Sequence, residues 1–228
     1  KFLYVSPERL MNQDFQHALA EININLIAVD EAHCISQWGY DFRPPYLKIA
    51  KLREYLHGVP VLALTATATT DVVEDIQQKL HFKKHNVFKA SFERKNLAYS
   101  VYRESDKTYR ILQVLSNEKG SAIVYVRNRR KTRELAEILV KNKIGATFYH
   151  AGLNAAQRDE RQKEWTKSRI QIIVATNAFG MGIDKPDVRQ VIHYNLPSDI
   201  ESYFQEAGRA GRDGKESVAS LLFNNNDI

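Results

Sequence analysis

The chain contains 228 residues, of which 43% are hydrophobic and 26% are charged, as in folded globular proteins. This composition excludes an intrinsically disordered chain, and the sequence has no apolar run of about 18 residues that could span a bilayer. Its single cysteine, Cys34, cannot form an internal disulfide or supply the repeated sulfur ligands of a structural zinc site. We therefore expect an intracellular protein of two compact domains, with no membrane partner and with any zinc-binding module outside this chain.

The positive charge of the chain is concentrated in its second part. The net charge is +6, with a pI near 9.3. Residues 1–93 hold 10 Lys and Arg against 11 Asp and Glu, net −1, which leaves 23 against 16, net +7, for residues 94–228. Such an excess suits a polyanion such as nucleic acid or a nucleotide, although many mildly basic proteins bind neither.

Short runs rich in β-branched residues alternate along the chain with amphipathic stretches. The predicted strands cover residues 24–29, 60–64, 122–126, 170–174 and 190–194. Between them, residues 71–80 and 132–141 place apolar side chains three or four positions apart, which predicts helices with one buried face. Asp71 and Asn154 mark predicted helix starts. This alternation predicts an α/β fold, in which parallel strands are buried between helices.

A polar segment, residues 90–96, coincides with the change of charge and is the predicted linker. It divides the chain into expected domains of residues 1–93 and 94–228. The polar residues 224–227 are typical of a chain that leaves a folded unit.

Two acidic residues follow the first predicted strand. In an open parallel sheet, this position lies in the crevice where ligands bind. Asp30 is placed like the residue that holds Mg²⁺, through water, in a nucleotide-hydrolysing site, and Glu31 like the carboxylate that orients or deprotonates the attacking water. The alternative is a solvated helix start, where acidic residues interact favourably with the helix dipole.

A glycine-rich segment, residues 205–214, contains two arginines three positions apart. On a helical turn Arg209 and Arg212 project to one side, and their guanidinium groups suit the charge that develops on a transferred γ-phosphate. Taken alone, the segment would be interpreted as a glycine-rich turn with solvated arginines.

These segments belong to an ordered series that resembles the superfamily-two helicases over essentially the whole chain. The series comprises residues 4–10 (motif Ib), 30–33 (motif II), 65–67 (motif III), 125–129 (motif IV), 176–184 (motif V) and 205–212 (motif VI). The resemblance implies RecA-like domains, with ATP and Mg²⁺ as cofactors. It implies that ATP binds between the domains, with Asp30 and Glu31 on one wall and Arg209 and Arg212 on the other. It further assigns Gln205 to catalysis, His33, Gly182 and Asp184 to ATP binding, and Ser6, Arg9 and Arg129 to DNA binding.

The residues that follow motif II identify the branch of this superfamily. Residues 32–44 are similar to the aromatic-rich loop of RecQ-family DNA helicases, in which the counterpart of His33 links motif II to the loop. The resemblance implies movement from 3′ to 5′ along DNA. The aromatic rings of Trp38 and Phe42 beside the cation Arg43 also suit a contact with single-stranded DNA. The alternative is that both rings belong to the core, but their spacing lacks the periodicity of a buried face. The DNA-binding residues implied in the loop are Gln37, Trp38, Phe42 and Arg43.

Two weaker signals lie in the second part of the chain. Residues 127–131 form a basic run that is typical of a solvated helix start, apart from the motif IV residue Arg129. His150 is interpreted as a core histidine with its hydrogen bonds satisfied rather than as a catalyst.

One part that ATP chemistry requires is missing from the sequence, the phosphate-binding pattern G-x-x-x-x-G-K-[ST]. Gly214 and Lys215 are followed by Glu216 and do not match it. In the resembled family that loop lies upstream of Tyr4, so we expect a fragment of the motor core that begins within a strand and is inactive alone. The family's zinc-binding and winged-helix modules are expected downstream of the chain. The rival hypothesis is a non-enzymatic nucleic-acid-binding or interaction protein that lacks a phosphate-binding loop altogether.

Overall fold

Every strand pair in the described part of the chain is parallel, which confirms the predicted α/β fold class. The computed structural model describes residues 1–37, 39, 41–180 and 182–227. These residues form two compact units, Lys1–Ala90 and Ser91–Ile228. None of the described helices combines the length and the apolar character needed to cross a membrane.

The first unit is built around a two-stranded sheet. Its helices are α1 (Gln13–Ala20), α2 (Leu52–Tyr55) and α3 (Thr70–Lys79), its strands are β1 (Ile27–Val29) and β2 (Val61–Ala63), and three 3-10 helices span Pro7–Met11, Ala32–Ile35 and Pro44–Lys51. The apolar face of α3, with Val72 and Ile76, packs in one cluster with Val29 and Ile35. This cluster fixes the 3-10 helix that follows β1 against α3.

The expectation that the chain begins within a strand is wrong for this structure. Residues 1–6 have no regular secondary structure. Phe2 and Tyr4 are each 91% exposed, and the described sheet of this unit contains only β1 and β2. An apolar, β-branched sequence does not form a strand without a neighbour that pairs with its backbone.

The second unit contains a six-stranded sheet with the order β3-β8-β7-β4-β6-β5. The strands are β3 (Leu97–Arg103), β4 (Ser121–Tyr125), β5 (Ala146–Tyr149), β6 (Ile172–Ala175), β7 (Val188–His193) and β8 (Ser217–Phe223), and the helices are α4 (Lys107–Ser116), α5 (Arg129–Lys141), α6 (Ala155–Thr166) and α7 (Ile200–Ala207). The five predicted strands are confirmed, with shifted ends, whereas β3, β5 and β8 were not predicted.

The two faces of the six-stranded sheet are covered by different helices. Leu115 of α4 and Leu135 of α5 pack in one cluster with Val124. Trp165 of α6 packs in the other cluster with Ile123. Because adjacent residues of β4 point to opposite faces and both are fully buried, this strand is central, as expected for a parallel sheet between two helical layers.

Side-chain caps fix where the main helices begin. The predicted helix start at Asn154 is confirmed. Its side chain accepts a hydrogen bond from the backbone N–H of Gln157 at 2.9 Å and completes a capping box at the start of α6. Helix α5 begins three residues before the predicted start because the Asn128 side chain accepts from the backbone N–H of Lys131 at 2.7 Å. Residues 129–131 of the basic run therefore lie in the first turn of α5.

The prediction that residues 224–227 leave the folded unit is wrong. The ammonium group of Lys107, whose side chain is 3% exposed, lies 2.5 Å from a carboxylate oxygen of Asp227 and donates to the carbonyl of Tyr194 at 2.7 Å. Asn195 also donates to Asp227. A buried ammonium needs a counter-charge, and the polar tail supplies it.

Replacing Asp227 by Ala should lower the free energy of unfolding by about 3 kcal/mol, because the Lys107 ammonium would remain buried without its counter-charge. Chemical denaturation of the chain measures this change. Asn226→Ala, which alters an exposed neighbour, is the matched control and should have little effect. A loss below about 1 kcal/mol for Asp227→Ala would show that the tail is not anchored by this ion pair.

Candidate nucleotide and nucleic-acid sites

Asp30 and Glu31 lie at the carboxyl end of β1. Just beyond this end, the backbone still pairs with the residue that follows β2. Leu64 donates to the carbonyl of Val29 at 2.8 Å, and Ala32 donates to the carbonyl of Leu64 at 2.9 Å. The backbone of Glu31 has φ +48, an uncommon conformation for a residue with a side chain. Both carboxylates are exposed, so the strained turn presents them at the end of the strand.

His33 connects motif II to motif III inside the first unit. Its side chain is 2% exposed, and its Nδ1 lies 3.0 Å from the hydroxyl of Thr65 and 3.4 Å from a carboxylate oxygen of Glu31. The same hydroxyl accepts from the backbone N–H of Thr67 at 3.3 Å. Burial lowers the pKa of His33 from its ordinary value, although Asp41 acts in the opposite direction. His33 thus joins Glu31 of motif II to Thr65 of motif III through one ring nitrogen.

The segment that follows motif II continues this chain of polar contacts. Cys34 is buried, and its Sγ lies 3.6 Å from Nε2 of His33 and 3.8 Å from a carboxylate oxygen of Asp41. Burial, with a smaller contribution from Asp41, raises the pKa of the Cys34 thiol to about 11. Arg43 binds the same carboxylate of Asp41 through Nε at 3.0 Å and through Nη2 at 2.5 Å. Polar contacts therefore run from Glu31 to the exposed guanidinium of Arg43.

The predicted DNA-binding residues of the first unit lie on its surface where they are described. Ser6, Arg9, Gln37 and Arg43 are exposed, and Phe42 is half-buried. The guanidinium of Arg9 lies over the ring of Phe15, 5.5 Å from its centre. Trp38, the principal aromatic residue of the predicted loop, lies outside the described residues.

In the second unit, both motif VI arginines bind motif V. Arg209 donates to the carbonyl of Gly180, and a Cβ at Gly180, which has φ +140, would clash with that guanidinium. Arg212 donates through Nη1 to the carbonyl of Ile183 at 3.0 Å and to the carboxylate of Asp184 at 3.3 Å. Contacts with motif V therefore orient both arginines, and Arg212 remains exposed.

A buried contact between a histidine and a glutamate orients the helix that carries Gln205. Nε2 of His193, at the end of β7, lies 2.8 Å from a carboxylate oxygen of Glu206 on α7. His193 is 1% exposed and stacks on the ring of Tyr125, whose hydroxyl donates to the carbonyl of Phe179 at 3.1 Å. Sequence reasoning missed His193 and Glu206, although Glu206 lies inside the recognised motif VI segment.

Comparison with known proteins matches both units to helicases. Residues 1–76 match the family model for DEAD/DEAH box helicases, and residues 105–214 match the model for the helicase conserved C-terminal domain. The chain is 46% identical to the ATP-dependent DNA helicase RecQ of Bacillus subtilis over 230 residues, which cover 100% of this chain and 39% of that protein. It is also 46% identical to the probable ATP-dependent DNA helicase RecS of the same organism, over 97% of this chain and 46% of that protein.

The chain belongs to the RecQ family of helicases. It spans less than half the length of these curated relatives and represents part of a helicase core. Its fold matches the solved structure of a DEAD box protein from Methanococcus jannaschii with a TM-score of 0.59 and 26% identity, over 97% of this chain and 60% of that one. The RecA-like fold class is thereby confirmed.

Within each unit of this RecQ-family chain, the structure brings several predicted site residues together. In the first unit, Glu31 contacts His33, and the adjoining Asp30 accepts a hydrogen bond from the Glu31 backbone N–H at 2.9 Å. In the second unit, Arg212 contacts Asp184. Gln205 lies on α7, and Gly182 has φ +71 within motif V. The roles of these residues in catalysis and ATP binding stay predictions.

Asp30 fits the requirements of a magnesium ligand. Its carboxylate supplies the hard oxygen atoms that Mg²⁺ prefers, and the residue is exposed at the end of a strand. Among the described residues, His33, Cys34 and Asp41 form the group whose potential metal ligands lie within 4.8 Å of one another. Since Arg43 already occupies the Asp41 carboxylate, we assign no metal to that group.

A basic cleft of about 490 Å³ lies at the carboxyl ends of β4 and β5. Its walls comprise three arginines, two glutamates and a histidine: Arg129, Arg130, Arg133, Glu134, Glu137 and His150. The glutamates pair with Arg130 and Arg133, which leaves Arg129 with no ion pair among the described residues. A neighbouring cleft of about 480 Å³ continues from His150 to Arg161. The prediction that His150 has satisfied hydrogen bonds in the core is wrong, because its Nδ1 has no hydrogen-bond partner among the described residues. Burial, and then the charges of Arg129 and Arg161, lower the pKa of His150.

The burial of His33 predicts a pH-dependent stability. Because its pKa is lowered on folding, the unfolded chain binds the proton more readily than the folded chain between the two pKa values. The contribution of His33 to the free energy of unfolding is therefore complete above a pH of about 6.5 and is lost as the pH falls toward the folded pKa.

Urea denaturation at a pH of about 7.5 and about 5.5 tests this prediction on wild type and His33→Gln. The stability advantage of wild type over the variant should shrink at the lower pH. The control, His17→Gln, removes an exposed histidine of α1. An advantage of wild type over His33→Gln that is equal at both pH values would contradict a lowered His33 pKa.

Proposed function

We propose that the protein containing this chain is an ATP-dependent DNA helicase of RecQ type that uses Mg²⁺ and unwinds DNA from 3′ to 5′. The observation that carries the proposal is the buried His33 bridge, which holds the exposed Glu31 carboxylate beside Asp30 at the end of a parallel strand. Such an arrangement suits hydrolysis more than a solvated helix start, because a helix start needs no buried histidine to hold its acid. The names of the most similar relatives support the same activity.

The first unit contributes the acidic groups of the proposed ATPase. Asp30 would hold Mg²⁺, which neutralises charge on the phosphates when it is bound. Glu31 would accept a proton from the attacking water or orient that water. His33, which is buried, would keep the Glu31 carboxylate in place through their 3.4 Å contact.

The second unit contributes the cationic groups. Arg209 and Arg212 would stabilise the charge that develops on the transferred phosphoryl group, with Gln205 beside them on α7 and with Gly182 and Asp184 contacting the nucleotide. A guanidinium has five N–H donors, and the described contacts of Arg212 use only Nη1. Arg212 can therefore retain its contact with motif V while it binds a phosphate oxygen.

DNA is the proposed polyanion partner. In the first unit the proposal assigns Ser6, Arg9, Gln37, Trp38, Phe42 and Arg43 to the DNA strand. The contacts from Arg43 through Asp41 and Cys34 to His33 give a route by which DNA bound at the loop could change the position of Glu31. One relative, 44% identical to the chain, is named a putative RNA helicase of Acanthamoeba polyphaga mimivirus, so the preference for DNA needs its own measurement.

Replacing Glu31 by Gln in the full-length protein should lower kcat for ATP about 10²-fold or more with little change in nucleotide affinity, because the amide keeps the shape of the side chain and loses the base. DNA-stimulated ATP hydrolysis measures kcat, and equilibrium binding of a fluorescent nucleotide measures affinity. Glu21→Gln, at an exposed position after α1, is the matched control.

Two outcomes would count against this proposal. Normal turnover by Glu31→Gln would remove Glu31 from the catalytic site. A full-length protein that binds DNA but hydrolyses no ATP would favour the rival, a nucleic-acid-binding protein that is not an enzyme. Parallel assays with single-stranded DNA and RNA decide which nucleic acid stimulates turnover.

We also propose that the basic cleft beside Arg129 binds the phosphate backbone of the strand. Arg129→Ala in the full-length protein should weaken single-stranded DNA binding for all sequences alike and should reduce the salt dependence of log K by about 1. Lys119→Ala removes one positive charge from an exposed site before β4 and is the matched control. Equal salt slopes for Arg129→Ala and wild type would contradict a phosphate contact at Arg129.

A further inference from the structure

Residues 92–96, near the start of the second unit, bind the backbone of the loop between α7 and β8, residues 208–216. Arg94 donates through Nη2 to the carbonyl of Ala210 at 3.0 Å and to that of Gly211 at 2.8 Å. Asn96 donates through Nδ2 to the same Gly211 carbonyl at 2.7 Å and to the carbonyl of Lys215 at 2.9 Å. Two side chains thus make four hydrogen bonds to a loop that lies more than 110 residues away in sequence.

The loop lies close against this segment, and at Gly211 there is no room for a side chain. Gly211 has φ +61, and a Cβ at this position would lie 2.5 Å from Nδ2 of Asn96 and 2.8 Å from the Ser217 hydroxyl. Ser217 also donates its backbone N–H to the Asn96 carbonyl at 2.9 Å. Glycine at position 211 and asparagine at position 96 therefore fit each other.

The same segment also contacts the helix before the loop. The ring of Phe92 packs edge-on against Phe204 of α7, with ring centres 5.9 Å apart and an interplanar angle of 90°. Arg189 also binds the loop, through the Asp213 carboxylate at 2.6 and 2.7 Å. Residues 92–96, which were predicted to lie in a linker, are attached to α7 and to the loop that follows it.

The carbonyls held by Arg94 belong to the two residues that separate Arg209 from Arg212 in the chain. Fixing these peptide units fixes the backbone on which both guanidinium groups are mounted. We infer that Arg94 and Asn96 are positioning residues for the motif VI arginines. This inference rests on the proposed function for its effect on turnover, whereas its effect on the loop is independent of that function.

A cation that donates to neutral carbonyls is suited to this role. A hydrogen bond from a charged donor stabilises a structure more than a neutral one does, and the guanidinium reaches two carbonyls from one nitrogen. A lysine at position 94 keeps the charge but carries it on a flexible stem without a planar group to hold the nitrogen in place, so Arg94→Lys should restore the loop only in part. Without Arg94, the loop should open more often and the arginines should leave their productive orientation.

Hydrogen exchange of the full-length protein tests the effect on the loop. In Arg94→Ala and in Asn96→Ala, amides in residues 211–217 should exchange about tenfold faster than in wild type, because the loop loses two hydrogen bonds in either variant. Amides of α5 should keep their wild-type rates. Lys95→Ala, an exposed neighbour in the same segment, is the matched control. Unchanged exchange at residues 211–217 in both variants would overturn the inference.

A double-mutant cycle tests the effect on turnover. Arg94→Ala should lower kcat about tenfold with KM for ATP almost unchanged. The same substitution in an Arg212→Ala background should lower kcat less, because one of the two arginines that it positions is gone. Equal losses of kcat in both backgrounds would overturn the positioning of Arg212 by Arg94. Normal turnover by Arg212→Ala itself would instead contradict the proposed function, while hydrogen exchange would still decide whether Arg94 fixes the loop.

Discussion

Parallel pairing of the strands is the constraint on which both units depend. In a parallel sheet all carboxyl ends meet at one edge, so residues that follow different strands become neighbours even when they are far apart in the sequence. In the first unit this brings Thr65, after β2, to the histidine that follows β1. In the second unit it brings His150, after β5, to the cleft that contains Arg129, after β4. The motifs are separated along the chain because each follows its own strand.

Buried polar bridges then fix the side chains that the sheet edges present. His33, His193 and Lys107 are each almost fully buried. His33 meets the nearby Glu31 and the hydroxyl of Thr65 after β2, whereas His193 and Lys107 each meet a carboxylate on another element or segment. A buried group of this kind is costly unless its partner is in place, so it selects one arrangement of the elements that it joins. These bridges specify the positions of Glu31, of α7 and of the chain after β8, which apolar packing alone would leave less defined.

The amino-acid pattern predicts the central strands and the long helices because their period and length are informative. Residues 122–126 and 172–175 form continuous apolar runs since β4 and β6 are buried on both faces. The edge strand β5 has only four residues, and β3 is largely exposed, so neither has a distinctive pattern. The motif segments were recognisable by their residue types at short spacing, although the catalytic and binding roles inferred for them remain proposals.

The contacts that complete the sites could not be predicted because they join distant parts of the chain through single side chains. Nothing in the local sequence around Arg94 indicates that its guanidinium binds the carbonyl of Gly211, and the charge change at this point favours a linker instead. His193 lies at the end of a strand with no acidic neighbour in sequence, yet it pairs with Glu206 on α7. Such pairs follow from the topology, which places the start of β3 beside β8 and the end of β7 beside α7.

Different contacts hold the backbone and the side chains of the motif VI arginines. The position of each arginine in the fold is therefore set independently of the orientation of its guanidinium group. Their backbone is fixed by Arg94 and by the Arg189–Asp213 pair, while their side chains rest on the carbonyls of motif V. A fixed backbone limits the entropy that a guanidinium loses when it binds a ligand, since only side-chain torsions need to change. The carbonyls of motif V engage part of each guanidinium, and the described contacts leave N–H donors of Arg212 available. A change in the conformation of motif V would therefore alter the availability of both arginines together, without unfolding the loop that carries them.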